Sequence, residues 1–207
     1  MSSLAGTSPS TGASSLPPPP AKLSRPRRWV RRLFRFVRNC LALLGLLFLI
    51  YHVGFDLSQI VSPSMAPTLR GTGEDNGDWV LSERISFRFR KPRRWELVRF
   101  HDDQGVEVMK RAVGLSGETL CLREGRVFID GKPVPTPPRL GFLNYYTYGP
   151  YLHNGKSVSC GDGYFVLGDY SRDSYDSRFT GPRPSGRING RPWLIVWPPS
   201  RFGWVNP

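Results

Sequence analysis

The sequence predicts a mainly β domain of antiparallel sheet, hung from a single N-terminal apolar helix. Three observations carry that expectation. The one long apolar run, Cys40 to Phe55, lies directly behind a stretch of arginines. Beyond it, short segments rich in Val, Ile, Phe, Leu and Trp alternate with period two, and Gly, Pro, Asp and Asn punctuate them. At 207 residues, 39% hydrophobic and 13% aromatic, the chain holds one ordinary core plus extra segments.

Residues 1–24 are rich in Ser, Pro, Gly and Ala and offer almost nothing large to bury, so they are expected to be a disordered tail. Residues 25–38 form a basic juxtamembrane segment. The net charge of +13 suggests a nucleic-acid binder only until its distribution is read. Lys22, Arg25, Arg27, Arg28, Arg31, Arg32, Arg35 and Arg38 all precede the apolar run, with no acid among them, and the rest of the chain is mildly basic. No nucleic-acid partner is therefore expected.

Residues 39–56 are the expected transmembrane anchor. The 16 residues of its apolar run, Cys40 to Phe55, interrupted only by His52, make a helix of roughly 24 Å against a hydrocarbon core of roughly 30 Å. The span is adequate if Leu33, Phe34, Phe36 and Val37 join it while Arg35 and Arg38 snorkel outward. A cleaved secretory signal would carry an A-x-A-like site, which is missing after Phe55, and a core helix would not normally follow eight cations. The positive-inside rule then places the N-terminus in the cytoplasm and residues 57–207 outside the cell membrane.

The segments DWVLSERISFRFR, ELVRFHD, VEVMKRAVGL, RVFIDGKPV, YFVLGD and WLIVW read as strands. Glu124-Gly125 and Asp130-Gly131 are turn signals, so residues 118–135 should form paired short strands. Pro133 to Gly161 has no clear period and reads as a long connection or insertion. Cys121 and Cys160 are both extracytoplasmic on this reading, where a disulfide is allowed but not required. His52, His101 and His153 are scattered, and no Cys or His pair has ligand spacing, so neither metal nor cofactor is expected. His101-Asp102-Asp103 reads as a polar loop.

SPSMAPTL, residues 62–69, places a hydroxyl-rich turn just outside the membrane. A serine becomes a nucleophile when a neighbouring base takes its proton, and lysine can be that base. Lys110 lies among Val108, Met109, Ala112 and Val113. Strand alternation puts Lys110 and Arg111 on opposite faces, so one of them must face inward, and Lys110 is the better candidate for the base. An amine in apolar surroundings loses hydration of its charged form, so its pKa falls from about 10.4.

SPSMAPTL, GDWV at 77–80, VMKRAVGLSGE at 108–118 and GDYSRDSYDSR at 168–178 resemble, in order and spacing, the sequence boxes of type I signal peptidases. The resemblance runs from about Ser58 to Pro198, with the anchor in the family's usual place. It implies a membrane-bound serine endopeptidase, signal peptidase I, acting on signal peptides of secreted preproteins, beside the lipid bilayer and the protein-export machinery. It also implies Ser64 as nucleophile, Lys110 as general base, and the Ser62 hydroxyl with the Ser64 N–H as oxyanion hole. Ser174 would orient the lysine, and Asp176 with Arg178 would brace that region. The chain departs from the family pattern at Tyr170-Ser171-Arg172-Asp173 and at Trp95-Glu96, which puts local loop contacts in question.

An extended peptide along a sheet edge shows alternate side chains to one face, so such an enzyme reads the residues one and three before the cut. Ile60, Met65 and Met109 flank the dyad and are placed to narrow those pockets to small residues. Trp193, Trp197, Phe202 and Trp204 suit a lipid interface, although WLIVW also reads as a core strand. The rival functions are a specialised processing peptidase of the same superfamily, a self-cleaving repressor with Ser/Lys chemistry, and a non-catalytic basic module tethered to the membrane.

Overall fold

The computed structural model describes residues 25–73, 76–153 and 155–205, so the predicted tail of residues 1–24 lies outside the described residues. The chain divides into two units, Met1–Leu46 and Leu47–Pro207. Helix α1 (Arg25–Gly54) is continuous through the predicted basic segment and stops two residues short of the expected anchor end. Its stretch from Arg28 to Gly54 is long and apolar enough to cross a membrane, and its side chains are exposed almost throughout. An all-round apolar helix left bare in water is unstable, whereas lipid satisfies it.

Two antiparallel sheets follow. In chain order the elements are β1 (Phe55–Gln59), β2 (Trp79–Glu83), α2 (Ser86–Phe89), β3 (Leu97–His101) and β4 (Glu107–Gly114), then β5 (Thr119–Arg123), β6 (Arg126–Ile129), β7 (Lys132–Pro133) and β8 (Ser157–Ser159). The last are β9 (Gly163–Leu167), α3 (Ser177–Thr180), β10 (Arg183–Pro184), β11 (Ile188–Trp197) and β12 (Gly203–Trp204). The larger sheet runs β1-β2-β11-β3-β4-β9-β10, with β12 on β11, and the smaller runs β7-β6-β5-β8.

Several local expectations meet their outcome here. DWVLSERISFRFR is not one strand: it ends at Glu83, whose carboxylate accepts hydrogen bonds from the backbone N–H of Ile85 and Ser86 and so opens the helical turn α2. The 118–135 region pairs as expected. Glu124 and Gly125 (φ 48° and 77°) turn β5 into β6, and Asp130 and Gly131 (φ 49° and 78°) turn β6 into β7. Those left-handed pairs match the twist of a two-residue hairpin. Pro133 to Gly161 is more than a surface connection, since its Leu140, Tyr145 and Leu152 are buried with Val113, Leu120 and Phe165. Cys121 and Cys160 are buried free thiols rather than a disulfide, and burial pushes the Cys160 thiol up to about 11.

β1 stands at the end of the larger sheet's strand order, with β2 on one side only. β3 pairs β4 from Glu107 to Arg111, and β9 pairs it only from Arg111 to Gly114, so Glu107 to Lys110 keep a free edge on the β9 side. Between these half-paired strands lies a second core cluster of Met65, Leu69, Val80, Leu97, Met109 and Ile195, with Ile60 packed against it.

Candidate active site

The cleft above that cluster has a volume of about 540 Å³. One wall is Ser58 to Met65, the other Val106 to Lys110, and Asp102, Asp173 and Tyr175 close the rim. Ile60, Met65 and Met109, the residues expected to narrow the substrate pockets, all line it.

The hydroxyl-rich turn is a short 3-10 helix, Pro63–Met65, capped by Ser62. Pro63 suits its first position because the missing N–H has no partner there in any case. The Ser62 hydroxyl accepts from the Ser64 N–H at 3.4 Å and lies 2.9 Å from the Ser64 hydroxyl. Two potential donors, the Ser64 N–H and the Ser62 O–H, thus converge beside Ser64 Oγ. Behind them the Ser64 carbonyl accepts from the Tyr170 N–H at 3.0 Å, tying the turn to the Gly168-Asp169 segment.

Lys110 Nζ donates to Ser64 Oγ at 2.5 Å across 46 residues of chain. The lysine is 3% exposed. Burial is the largest influence on its amine and pushes the pKa down to about 8, against the opposing pull of Asp176 and Asp169. A lysine with such a pKa, hydrogen-bonded to a serine, can take that serine's proton near neutral pH.

Arg111, on the face opposite Lys110, is buried as well. It is 0% exposed, because β4 is covered on both faces at this point. Its guanidinium grips Asp169 through Nε at 2.7 Å and Nη2 at 2.6 Å and donates to the Trp95 carbonyl through Nη1 at 2.5 Å. Asp169 also accepts from the Thr68 hydroxyl. Arg111, Asp169 and Thr68 therefore join β4 to the segments that flank the serine turn, a connection that period-two reasoning misses.

Asp176 and Arg178 sit in a helical turn, not on a strand face: Asp176 caps α3 and is held by Arg178 Nε and Nη2, both at 2.8 Å. Arg178 also donates to the Ser171 hydroxyl and carbonyl, both at 2.8 Å, and lies over the Tyr148 ring. Ser171, one of the departures from the family pattern, thus fills a definite role. Asp176 in turn accepts from the Gly168 N–H at 2.9 Å. Ser174 is the expectation that geometry does not join to the site: its buried hydroxyl has no hydrogen-bond partner, Lys110 included, among the described residues. It lies beside Gly168, where a Cβ would stand 2.6 Å from the Ser64 carbonyl oxygen, so only glycine permits this packing. The other departure, Trp95, adopts φ 68°, a region that suits glycine and costs a bulky residue about 1–3 kcal/mol. His101 hydrogen-bonds Asn189 at 2.9 Å, and Asp103 pairs with Arg183 and Arg187, in keeping with a polar loop.

Residues 33–197 match the family model described as signal peptidase, peptidase S26. A signal peptidase I of Leptolyngbya laminosa is 34% identical over 161 residues, covering 73% of each chain. A probable signal peptidase I-2 of Synechocystis is 32% identical, covering 72% of this chain and 66% of that one. A mitochondrial ATP-independent inner membrane protease subunit 1b of Arabidopsis thaliana is also 32% identical, covering 75% of this chain and 78% of that one.

Proposed function

Since this chain belongs to the peptidase S26 family of signal peptidases, we propose that it is a membrane-bound serine endopeptidase that removes signal peptides from exported preproteins. The observation that carries the reading is the 2.5 Å hydrogen bond between a buried lysine amine and the Ser64 hydroxyl. Neutral Lys110 takes the Ser64 proton as Oγ attacks the scissile carbonyl. Negative charge gathers on the carbonyl oxygen, and the Ser64 N–H and Ser62 hydroxyl turn from each other to hold it. One such donor is worth about 100-fold to 1000-fold in rate. Protonated Lys110 then gives its proton to the departing amine as the acyl-enzyme forms on Ser64, and Lys110, neutral again, takes a proton from the water that attacks the acyl-enzyme and releases the signal peptide. Ser174 is the hydroxyl in reserve for the ammonium that forms midway, and the Asp176–Arg178 pair holds its segment in place.

The substrate lies as an added strand between the free edges of β1 and β4 and offers the side chains one and three before the cut to Ile60, Met65 and Met109. Those apolar walls favour small residues. The basic flank of α1 sets the N-terminus in the cytoplasm and the β domain outside, in a cell membrane next to the export machinery. Trp197, Phe202 and Trp204, each more than half exposed, rest at the lipid interface. A relative named a probable signal peptidase I-2 and one named a mitochondrial inner membrane protease subunit stand at equal identity, so a specialised processing role is the second reading.

Purified protein should cut a model preprotein after an Ala-x-Ala sequence, and the Ser64→Ala variant should not. No cleavage by the folded wild type across a panel of exported preproteins would overturn the general reading, and cleavage of one preprotein alone would favour the specialised one. Protease added outside intact spheroplasts should digest the β domain; its protection would reverse the orientation.

A further inference from the structure

A second cavity, of about 300 Å³, shares no lining residue with the catalytic cleft. Five arginines line it: Arg90, Arg93, Arg94, Arg139 and Arg191. Glu96 is the one carboxylate in its wall, and Trp95 and Pro137 complete the lining.

Part of this charge is already matched, and what is left over is positive. Glu96 accepts from Arg90 Nη1 and Nη2 at 2.8 and 2.6 Å and from the Arg93 backbone N–H at 3.0 Å, and it pairs with Arg191 Nε at 2.9 Å. Burial would raise its carboxyl, but the hydrogen bonds from Arg90 and the Arg93 N–H outweigh it and hold it below the usual range. Arg94 grips Glu118 at 3.0 and 2.5 Å and donates to the Val113 carbonyl at 2.7 Å. Arg93 and Arg139 are exposed, and neither guanidinium forms an ion pair among the described residues. Five guanidiniums against two carboxylates leave the cavity cationic, with two arms unspent.

The place of the cavity in the fold selects the anion. β1 begins at Phe55, directly after the apolar helix, and Glu83 of β2 stands between Phe55 and Arg191 in the sheet. Arg191 is therefore level with the first residue beyond α1. The turn α2 starts at the same level: the Arg84 backbone N–H donates to the Gly54 carbonyl at 2.9 Å, and Ile85 packs so close that a Cβ on Gly54 would lie 3.1 Å from its Cδ1. Ile85 and Phe89, four residues apart, share one side of that turn, and both are exposed, Phe89 at 86%. A bare phenylalanine followed directly by Arg90 and Lys91 suits the surface of a bilayer, with the ring among acyl chains and the cations among headgroups.

We propose that this cavity binds the phosphodiester headgroup of an anionic phospholipid, with Arg93 and Arg139 as its free cationic arms, Trp95 and Pro137 against the glycerol, and Phe89 in the acyl region beside it. Such a phosphate gains two charge-assisted partners without displacing Arg90 or Arg191 from Glu96, or Arg94 from Glu118. A zwitterionic headgroup brings its own cation into a ring of guanidiniums and is disfavoured. The site holds the β domain against lipid at α2, and it stands whether or not Ser64 is a nucleophile.

The test uses the full-length protein in a neutral detergent, with phosphatidylglycerol, phosphatidylcholine or inorganic phosphate added and the bound ligand read by native mass spectrometry. Each cation at an anionic headgroup is worth about fivefold in affinity. The wild type should therefore bind phosphatidylglycerol about 25-fold more tightly than phosphatidylcholine. Arg93→Gln combined with Arg139→Gln should erase that preference, with circular dichroism showing that the fold persists, whereas Arg28→Gln combined with Arg31→Gln, in the basic flank of α1, should keep it. Equal affinity of the wild type for the two lipids, tighter binding of inorganic phosphate than of phosphatidylglycerol, or a loss that follows the flank variant and spares the Arg93 and Arg139 variant overturns the site.

Discussion

Lys110 should set the pH at which the protein works, and the size of the effect follows from its burial. A lysine with the ordinary value of 10.5 is about 0.03% neutral at pH 7, whereas one at about 8 is about 9% neutral, a gain of roughly 300-fold in competent base. The neutral amine is the form that accepts the Ser64 proton, so kcat/KM should rise with pH, tenfold per unit in acid, and level off near 8. The assay is cleavage of a soluble fluorogenic peptide, with near-ultraviolet circular dichroism at each pH to show that the fold persists. Lys110→Arg should be folded and inactive across the same range, since guanidinium keeps its proton. A flat profile from about pH 6 to about pH 9, or turnover by a folded Lys110→Arg protein, refutes the reasoning.

Lys110→Met should lose activity yet gain stability. The folded pKa lies below the unfolded one, so the amine's penalty is fully present below about 8 and fades as pH rises toward 10.5; at pH 7 its removal is worth up to about 3 kcal/mol, read as a higher Tm. Arg111→Lys should destabilise by about 1–3 kcal/mol, because one ammonium replaces neither the two-point grip on Asp169 nor the bond to Trp95; an unchanged Tm would count against that network. Arg178→Met leaves Asp176 uncompensated near the amine and should move the pH midpoint to higher values, and adding Asp176→Asn should bring it back. Equal midpoints in those two variants would show that the pair does not act on Lys110.

The sequence shows most where one physical demand dominates. Leu and Phe crowding Cys40 to Phe55 have one use, and Glu124-Gly125 and Asp130-Gly131 need left-handed φ that few other dipeptides supply. Ser64 and Lys110 are visible through the company of Ser62, Met65 and Arg111 in ordered boxes. What stays hidden is what depends on two segments meeting. Period two correctly separates the faces of Lys110 and Arg111 but cannot say that both faces are covered. Asp169, 58 residues from Arg111, carries no local sign of its partner. The helical turn at Ser86 was masked because SFRF alternates as a strand does, and the Glu83 cap that ends the strand becomes apparent only in three dimensions.

Burying a lysine activates it only if the anions needed to build the site are silenced. Asp169 and Asp176 are both fully buried in their side chains, and each pulls the Lys110 pKa upward. Either carboxylate left bare would favour the ammonium and undo what burial achieves. Each is instead gripped by a fully buried arginine, Arg111 or Arg178. Buried ion pairs of this kind contribute little net stability, because the desolvation of both charges offsets their attraction. Their value here is positional and electrostatic. Asp176 fixes the Gly168 N–H, Gly168 admits the Ser64 carbonyl, and the neutralised pairs leave desolvation as the dominant influence on the amine. The arginine beside the lysine and the Asp176–Arg178 turn thus serve one end, a base that loses its proton far more readily than a free lysine, beside the hydroxyl it must deprotonate.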